Sequence, residues 1–480
     1  MRAISIFTSQ LPVKVMQFGG GNFLRAFVDW MIQELNEQTD FNGGVVVIKP
    51  TARGDYQTLK SQDGLFTVIL DGIKNGTMVA EKKTVSSVVE VVNPYSQWES
   101  YLALAGNPNI RFITSNTTEA GIRFSQEDAI GDRPPKEFPA KLTVWLYRRF
   151  QNFNGDSSKG CILLPLELIE DNGLVLKEII IKYIEHWKLE TAFKDWIEHS
   201  NYFCNTLVDR IVSGYPKDRE NEIQTALGYT DALLVAGEYY HSWVIQGPQV
   251  VQKELPFRET QLNVAFVDDL APYRKMKVRI LNGAHTAMVP VAYLAGIRYV
   301  KEAMDDAEVS GFVEALLLEE AAHTLDFTDA IKHGFVADVL DRFRNPLLRH
   351  QLISISLNSI SKFVARLLPT LKDYLKAEKR LPKRIVFGLS ALLLFYRGEF
   401  EGSKIELNDD AAIIDFFAEQ WERNTNNKID LATLVKEILG NVNIWGEDLS
   451  QLSGLTEMVT GYISAIKKHG VRLALEKNSI

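Results

Sequence analysis

The sequence predicts an α/β N-terminal half followed by a mostly α-helical C-terminal half, and three observations carry that expectation. The apolar run Val13–Phe18 leads directly into Gly19, Gly20 and Gly21 and then into a helical stripe of Phe23, Phe27, Trp30, Met31 and Leu35. Further apolar runs of strand length recur through the first 270 residues, separated by segments long enough for helices. From Leu281 onward helical periodicity dominates, as in Phe312 to Leu325 and Leu389 to Tyr396. A chain of 480 residues exceeds what one hydrophobic core supports. The expected division is residues 1–276 and residues 277–480.

Taken in order, the first strand, glycine turn and helix form the opening of a Rossmann-type dinucleotide-binding unit. Glycines permit the tight turn and the close approach of a pyrophosphate, and the helix start supplies free N–H groups. Phe18, Gly19, Gly20, Gly21, Asn22 and Phe23 are therefore expected to bind a cofactor. Two parts of the usual fingerprint are absent. Leu24 stands where a third small residue belongs, and the second strand, around Val45 to Ile48, ends in Lys49, Pro50, Thr51 and Arg53 instead of an acid. That basic end leaves NADP open beside NAD.

Phe66 to Val92 reads as short strands around an Asn75-Gly76 turn, an antiparallel insertion in the nucleotide domain. Arg111 to Ser115 is another buried strand and ends in Asn116, Thr117, Thr118, Glu119, Ala120 and Gly121. Polar residues after a strand of a parallel sheet lie where such folds bind ligands, so Thr117 and Glu119 join the cofactor set. Cys161 to Leu164 repeats the pattern and leads to Glu167, Asp171 and Asn172. Val208-Asp209-Arg210-Ile211 places an acid beside a base, and the runs Ser242 to Ile245 and Asn263 to Val267 close the first half.

Chemistry concentrates in Lys277 to Thr286 (K-V-R-I-L-N-G-A-H-T). On a helix turning about 100° per residue, Lys277, Asn282 and His285 fall within an arc of about 140°. They bring a base, a neutral donor for a developing oxyanion, and a second proton-handling or orienting group to one face. Each alone is most often structural; together, beside a nucleotide-binding signal, they mark a candidate catalytic set. Gly283 lets another body approach the helix closely. Arg279 is a neighbouring cation that would help Lys277 release its proton. The segment lies where the texture changes, and ligand sites favour domain junctions.

Bulk properties narrow the class. A net charge of −8 argues against nucleic acid and requires a local Lys/Arg cluster for any anionic substrate. Cys161 and Cys204 lack CxxC spacing, and the eight histidines form no HxxxH or HExxH pair, so no metal site is expected. The first twenty residues lack a signal-peptide core, and the longest apolar run, Ala391 to Tyr396, is too short to span a bilayer. The expectation is a soluble cytoplasmic protein with no membrane partner; nothing in the sequence sets an oligomeric state.

The chain resembles the mannitol dehydrogenase family, the polyol-specific long-chain dehydrogenases. The signature K-x-R-x-x-N-[AG]-x-H-[ST] is matched at Lys277, Arg279, Asn282, Gly283, His285 and Thr286. The opening G-x-G-x-F-x-R-A-H is matched at Gly19, Gly21, Phe23, Arg25 and Ala26, with Phe27 in place of the histidine. T-E-x-G, V-D-R-I and R-F-x-N-P follow at Thr118, Val208 and Arg342. Within the family, S-N-T-T-E-A-G-I at Ser115, P-x-E-L-I-x-x-N-G at Pro165 and H-Q-L-x-S-I at His350 look like the branch that interconverts aldonates and keto-hexuronates.

This resemblance implies a zinc-free, NAD-dependent oxidoreductase acting on CH–OH, with a Rossmann-type first domain and a helical second one. It makes Lys277 the general acid/base, Asn282 an oxyanion donor, His285 a substrate-orienting group and Lys362 a substrate-binding lysine. Asp209 and Arg344 join the substrate set, Arg344 as a partner for a carboxylate. The family carries Asp-Asn where this chain has Glu167-Leu168, which leaves Glu167 and Asn172 as candidates for the missing second oxyanion residue. The rival expectations are a sister keto-uronate reductase, a neutral polyol dehydrogenase, and a nucleotide-binding sensor without turnover.

Overall fold

The structure is a computed structural model that describes residues 2–3, 11–54, 56–117, 121–478 and 480. It divides into two compact units, one of residues Met1–Asp71 and Met78–Leu270, the other of Gly72–Thr77 and Ala271–Ile480.

The first unit is built on a six-stranded parallel sheet. Its strands are β1 (Val13–Phe18), β2 (Gly44–Ile48), β3 (Val88–Val92), β4 (Phe112–Ser115), β5 (Ile162–Pro165) and β6 (Tyr202–Phe203). They lie in the order β3-β2-β1-β4-β5-β6, all parallel. The order reverses between β1 and β4, which is the switch point where doubly wound sheets bind ligands beyond the strand ends. β2 and β5 read as continuous apolar runs because both faces are covered. Val15, Val45, Val47, Phe112 and Leu164 face a core with Phe27, Met31 and Leu35. Met16, Phe18, Val46, Ile48 and Leu163 face another with Trp145, Ile180 and Tyr183.

Three smaller sheets accompany it, one of them the pair Arg2–Ala3 and Tyr229–Thr230. Asn205–Asp209, Ser242–Gln246 and Val264–Val267 form the second; Val212–Gly214, Val235–Glu238, Phe66–Lys74 and Thr77–Val85 form the third. The Asn75-Gly76 hairpin is present, with both residues at positive φ (51° and 72°), the requirement of a two-residue hairpin turn. Val88–Val92, grouped from the sequence with that insertion, is instead the edge strand of the parallel sheet, paired with β2. Its valine-rich run fits either placement, and only the pairing decides.

From Ala271 onward the second unit is mostly helical, with a short hairpin of Glu399–Phe400 and Ser403–Lys404. One large core gathers Ile280, Met288, Val291, Phe312, Leu392 and Ile463. Among the described residues no helix is long and apolar enough to cross a membrane.

Candidate active site

Helix α1 (residues 22–38) begins directly after the glycine turn. It contains a π segment, Arg25–Asp29, between helical stretches Asn22–Leu24 and Trp30–Gln38. Gly19 holds φ at +122°, and a Cβ there would meet Leu24 Cδ1 at 2.7 Å. Leu24, the apparent departure from the fingerprint, thus occupies the space that Gly19 vacates. A Cβ on Gly20 would strike the ring of Tyr56 at 2.8 Å, and the Gly20 N–H donates to Tyr56 Oη at 3.0 Å. Gly21 is exposed, and its Cβ position has nothing within 4 Å. A turn that is tight on its inner side and open at Gly21 fits the approach of a pyrophosphate.

Of the other residues expected there, Asn22 accepts from Arg25 at 2.7 Å and Phe23 stacks on Phe27 at 4.9 Å. The Phe18 ring is fully buried against Tyr101 and Phe138, so its side chain is core and only its backbone borders the turn. Asp29 is buried beneath the turn. Burial raises its carboxyl to about 7, while the Gln17 amide, at 3.3 Å, and the Arg25 charge oppose the rise. Sequence reading missed Tyr56 and Asp29; neither stands in a motif.

Beyond β4 and β5 the polar residues are spent on one another. Glu167 is buried, its Oε1 accepting from the N–H and hydroxyl of Thr117, both at 2.9 Å, and its Oε2 from Ser115 at 3.1 Å. Asn172 is buried as well. Its Nδ2 faces the carbonyls of Pro165, Glu167 and Thr206, and its Oδ1 accepts from the Thr206 N–H. In this arrangement both residues brace the strand ends, and Glu167 holds Thr117. Asp209 ends its strand opposite Ser242 and is half-buried. Glu119 lies outside the described residues.

In the second unit, Lys277 sits in helix α2 (residues 271–294), built of Ala271–Lys277, the π segment Val278–Asn282, and Gly283–Leu294. The Gly283 N–H reaches back to the Val278 carbonyl, five residues earlier. A π turn stacks residues five apart, so Lys277 and Asn282 align more closely than an unbroken α-helix would allow. Such interruptions recur at functional sites. Lys277 and Asn282 are half-buried. Gly283 is approached by Leu367, whose Cδ2 lies 3.2 Å from the Cβ position. Arg279 does not act as a free neighbouring cation. It is buried and donates to Asp373 at 2.6 Å and to the Thr324 hydroxyl at 2.7 Å, so its charge is compensated.

His285 stacks on Phe343 at 4.4 Å and meets the His350 ring edge-on at 5.4 Å. Its Nε2 is buried without a hydrogen-bond partner among the described residues. Burial holds its imidazole well below the usual range, and His350, Arg342, Arg366 and Lys362 press the same way. Arg342 comes from helix α3 (Asp329–Arg344), and Lys362 and Arg366 from helix α4 (Ser359–Arg366). Lys362, expected from the sequence, is half-buried and donates to the Ile355 carbonyl at 2.9 Å. Arg344 is not in the group: it ion-pairs with Glu314, and Arg342 is the α3 arginine whose field reaches His285. Arg366 was missed, although it follows Lys362 by four residues and so shares its helix face. Among the described residues no group of three His, Cys, Asp or Glu side chains could hold a metal ion.

Comparison with known proteins adds independent findings. The mannitol dehydrogenase Rossmann domain matches residues 13–259, and the mannitol dehydrogenase C-terminal domain matches residues 269–467. An altronate oxidoreductase of Yersinia pestis is 48% identical over 465 residues, 97% of this chain and 96% of that protein. One from Bacillus subtilis (strain 168) is 46% identical over 472 residues, 98% and 96% of the two chains. Among solved structures, Pseudomonas fluorescens mannitol 2-dehydrogenase, in a ternary complex with NAD and D-mannitol, aligns with a TM-score of 0.65 at 20% identity over 98% of this chain and 94% of that one. A D-sorbitol dehydrogenase in substrate-free form aligns with a TM-score of 0.76 at 20% identity over 96% and 95%. At that identity the likeness concerns the fold.

Proposed function

The chain belongs to the mannitol dehydrogenase family, and from that premise we propose that it catalyses the reversible, NAD-dependent oxidation of D-altronate to D-tagaturonate. The observation that carries this reading is the group of Arg342, Lys362 and Arg366 around a His285 kept neutral, on the helix that also bears Lys277 and Asn282. In a chain of net charge −8, that group is the local cation cluster an anionic sugar acid requires.

A nicotinamide dinucleotide, when bound, takes or supplies the hydride. The turn Gly19–Gly20–Gly21 and the start of α1 would hold its pyrophosphate. Lys277 donates its proton to the ketone oxygen beside the terminal CH2OH in reduction and takes it back in oxidation. The Asn282 carboxamide donates a hydrogen bond to that same oxygen as its charge develops. His285 serves as a neutral orienting group through a ring nitrogen, because a buried imidazole beside three cations resists protonation. This leaves the acid/base role to Lys277.

The test mixes purified protein with NADH or NADPH and, separately, D-tagaturonate, D-fructuronate and D-fructose, following nicotinamide absorbance. Fastest reduction of D-tagaturonate with NADH is expected. Preference for D-fructuronate or D-fructose replaces the substrate, and nucleotide binding without turnover replaces the enzyme with a sensor. Lys49 and Arg53, at the end of the second strand, are the groups a 2′-phosphate would meet, so preference for NADPH would assign them that role.

A further inference from the structure

The basic groups of the second unit differ in how they are partnered. Arg279 has Asp373, Arg344 has Glu314, and Lys362 has the Ile355 carbonyl and the field of Asp409. Arg366 is half-buried, and its one side-chain hydrogen bond among the described residues is to Thr286 Oγ1, at 3.3 Å. No described carboxylate lies within ion-pair distance of it. A half-buried guanidinium with one hydroxyl partner and no acid keeps part of its desolvation cost, which an incoming carboxylate offsets.

The placement is specific. Arg366 ends α4, which packs against α2. The Thr286 hydroxyl that receives it donates in turn to the Asn282 carbonyl at 2.9 Å. One short chain of hydrogen bonds thus ties the guanidinium to the turn that carries Asn282 and His285. Lys362, one turn earlier on α4, lies on the same face. A guanidinium presents two parallel N–H groups that match a carboxylate, which an ammonium cannot do.

We propose that Arg366 binds the terminal carboxylate of the substrate and sets the preference for a hexuronate over the corresponding neutral sugar. This rests on the substrate class proposed above. The carboxylate end of the substrate is then held by α4, the ketone end by Lys277 and Asn282, and the Thr286 hydroxyl fixes the angle of the fork.

The test compares the wild-type protein with Arg366→Gln and Arg366→Lys on D-tagaturonate and on D-tagatose, which carries CH2OH in place of the carboxylate. Arg366→Gln should reduce the ratio of kcat/KM between the two substrates by about 10- to 100-fold, mainly through the KM for the uronate. Arg366→Lys should restore part of the ratio. An equal loss on both substrates, or an unchanged ratio, overturns the proposal. Calorimetric titration with D-altronate and with D-altritol provides a readout without turnover. Wild-type protein should prefer the acid, and Arg366→Gln should lose that preference. Wild-type protein that binds D-altronate but reduces no keto-uronate defeats the proposed reaction and spares the Arg366 assignment. An Arg366→Gln protein that still prefers the acid defeats the assignment and spares the reaction.

Discussion

Helix α1 of the first unit and helix α2 of the second are each interrupted by a five-residue π segment, Arg25–Asp29 and Val278–Asn282, and each segment buries an arginine. Both arginines are held internally. Arg25 donates to Asn22 and the Leu233 carbonyl while its buried Nε has no hydrogen-bond partner among the described residues, and Arg279 donates to Asp373 and Thr324. Around them the two regions diverge. At α1 the group left open is the backbone at Gly21, whose Cβ side is clear, while the Gly19 and Gly20 N–H groups are held by the Ile48 carbonyl and the Tyr56 hydroxyl. At α2 the groups are side chains, with cations supplied by α3 and α4. A diphosphate is bound through N–H groups whatever its sugar or base, so glycine geometry suffices. A particular sugar acid must be read atom by atom, and that needs side chains.

The largest effect that would break this contrast is on Lys277. Lys277→Ala keeps a good helix former and should lower kcat by about 10²- to 10⁴-fold, with nucleotide affinity changed less than about twofold. Steady-state kinetics and nucleotide titration by fluorescence check it. A parallel loss of nucleotide binding would mean that α2 is not a side-chain site separable from the glycine turn.

The two regions also carry opposite pH signatures. Asp29 is held up to about 7 against 3.8 for an ordinary aspartate, so between those values the folded chain keeps a proton that the unfolded chain has lost. The stability it contributes is full below about 4 and is lost as pH rises through about 7. His285 is held below its usual 6.5, so the unfolded chain gains a proton first. Its contribution is full above 6.5 and is lost as pH falls. Each slope approaches about 1.4 kcal/mol per pH unit, and the two oppose one another across the mildly acidic range. Asp29→Asn should therefore stabilise the protein above pH 7, by on the order of 4 kcal/mol, and leave stability rising with pH in the acid range. His285→Gln should expose the falling Asp29 slope. Denaturant titrations from pH 4.5 to 8 decide, and parallel curves for all three proteins would refute both assignments.

This contrast also explains what was legible in the sequence. The glycine turn could be read because the need is local: a positive φ and a clear surface leave few residue types besides glycine. Lys277, Asn282 and His285 could be read because three chemistry-bearing types stand within ten residues. The π segment was invisible, since an extra backbone residue per turn has no compositional mark. That Glu167 and Asn172 brace the strand ends could not be read, because their partners, Thr117 and Thr206, lie 50 and 34 residues away in sequence. Arg344 was expected as a carboxylate partner, but residues two apart on a helix differ by about 200° in direction, and only tertiary packing shows that it pairs with Glu314 while the field of Arg342 reaches His285. The cations round His285 come from positions 342 to 366, and no local pattern gathers them.

The smallest predicted effect tests the backbone half of the contrast. Gly19 and Gly21 belong to one triplet but should respond differently to a methyl group. Gly19→Ala meets Leu24 at 2.7 Å in a strained backbone region, so it should lose about 1–3 kcal/mol of stability and, with it, the turn. Gly21 has φ −71° and open space where its Cβ would stand. Gly21→Ala should leave the thermal midpoint within about 1 °C of the wild-type value, since nothing in the protein resists the methyl group. It should still weaken nucleotide binding by about tenfold, because the methyl group keeps the pyrophosphate from close approach to the backbone. Thermal melts and nucleotide titration of the same preparations separate the two outcomes. Undiminished nucleotide affinity in Gly21→Ala would place the pyrophosphate elsewhere and leave the cleared side of the turn without its function.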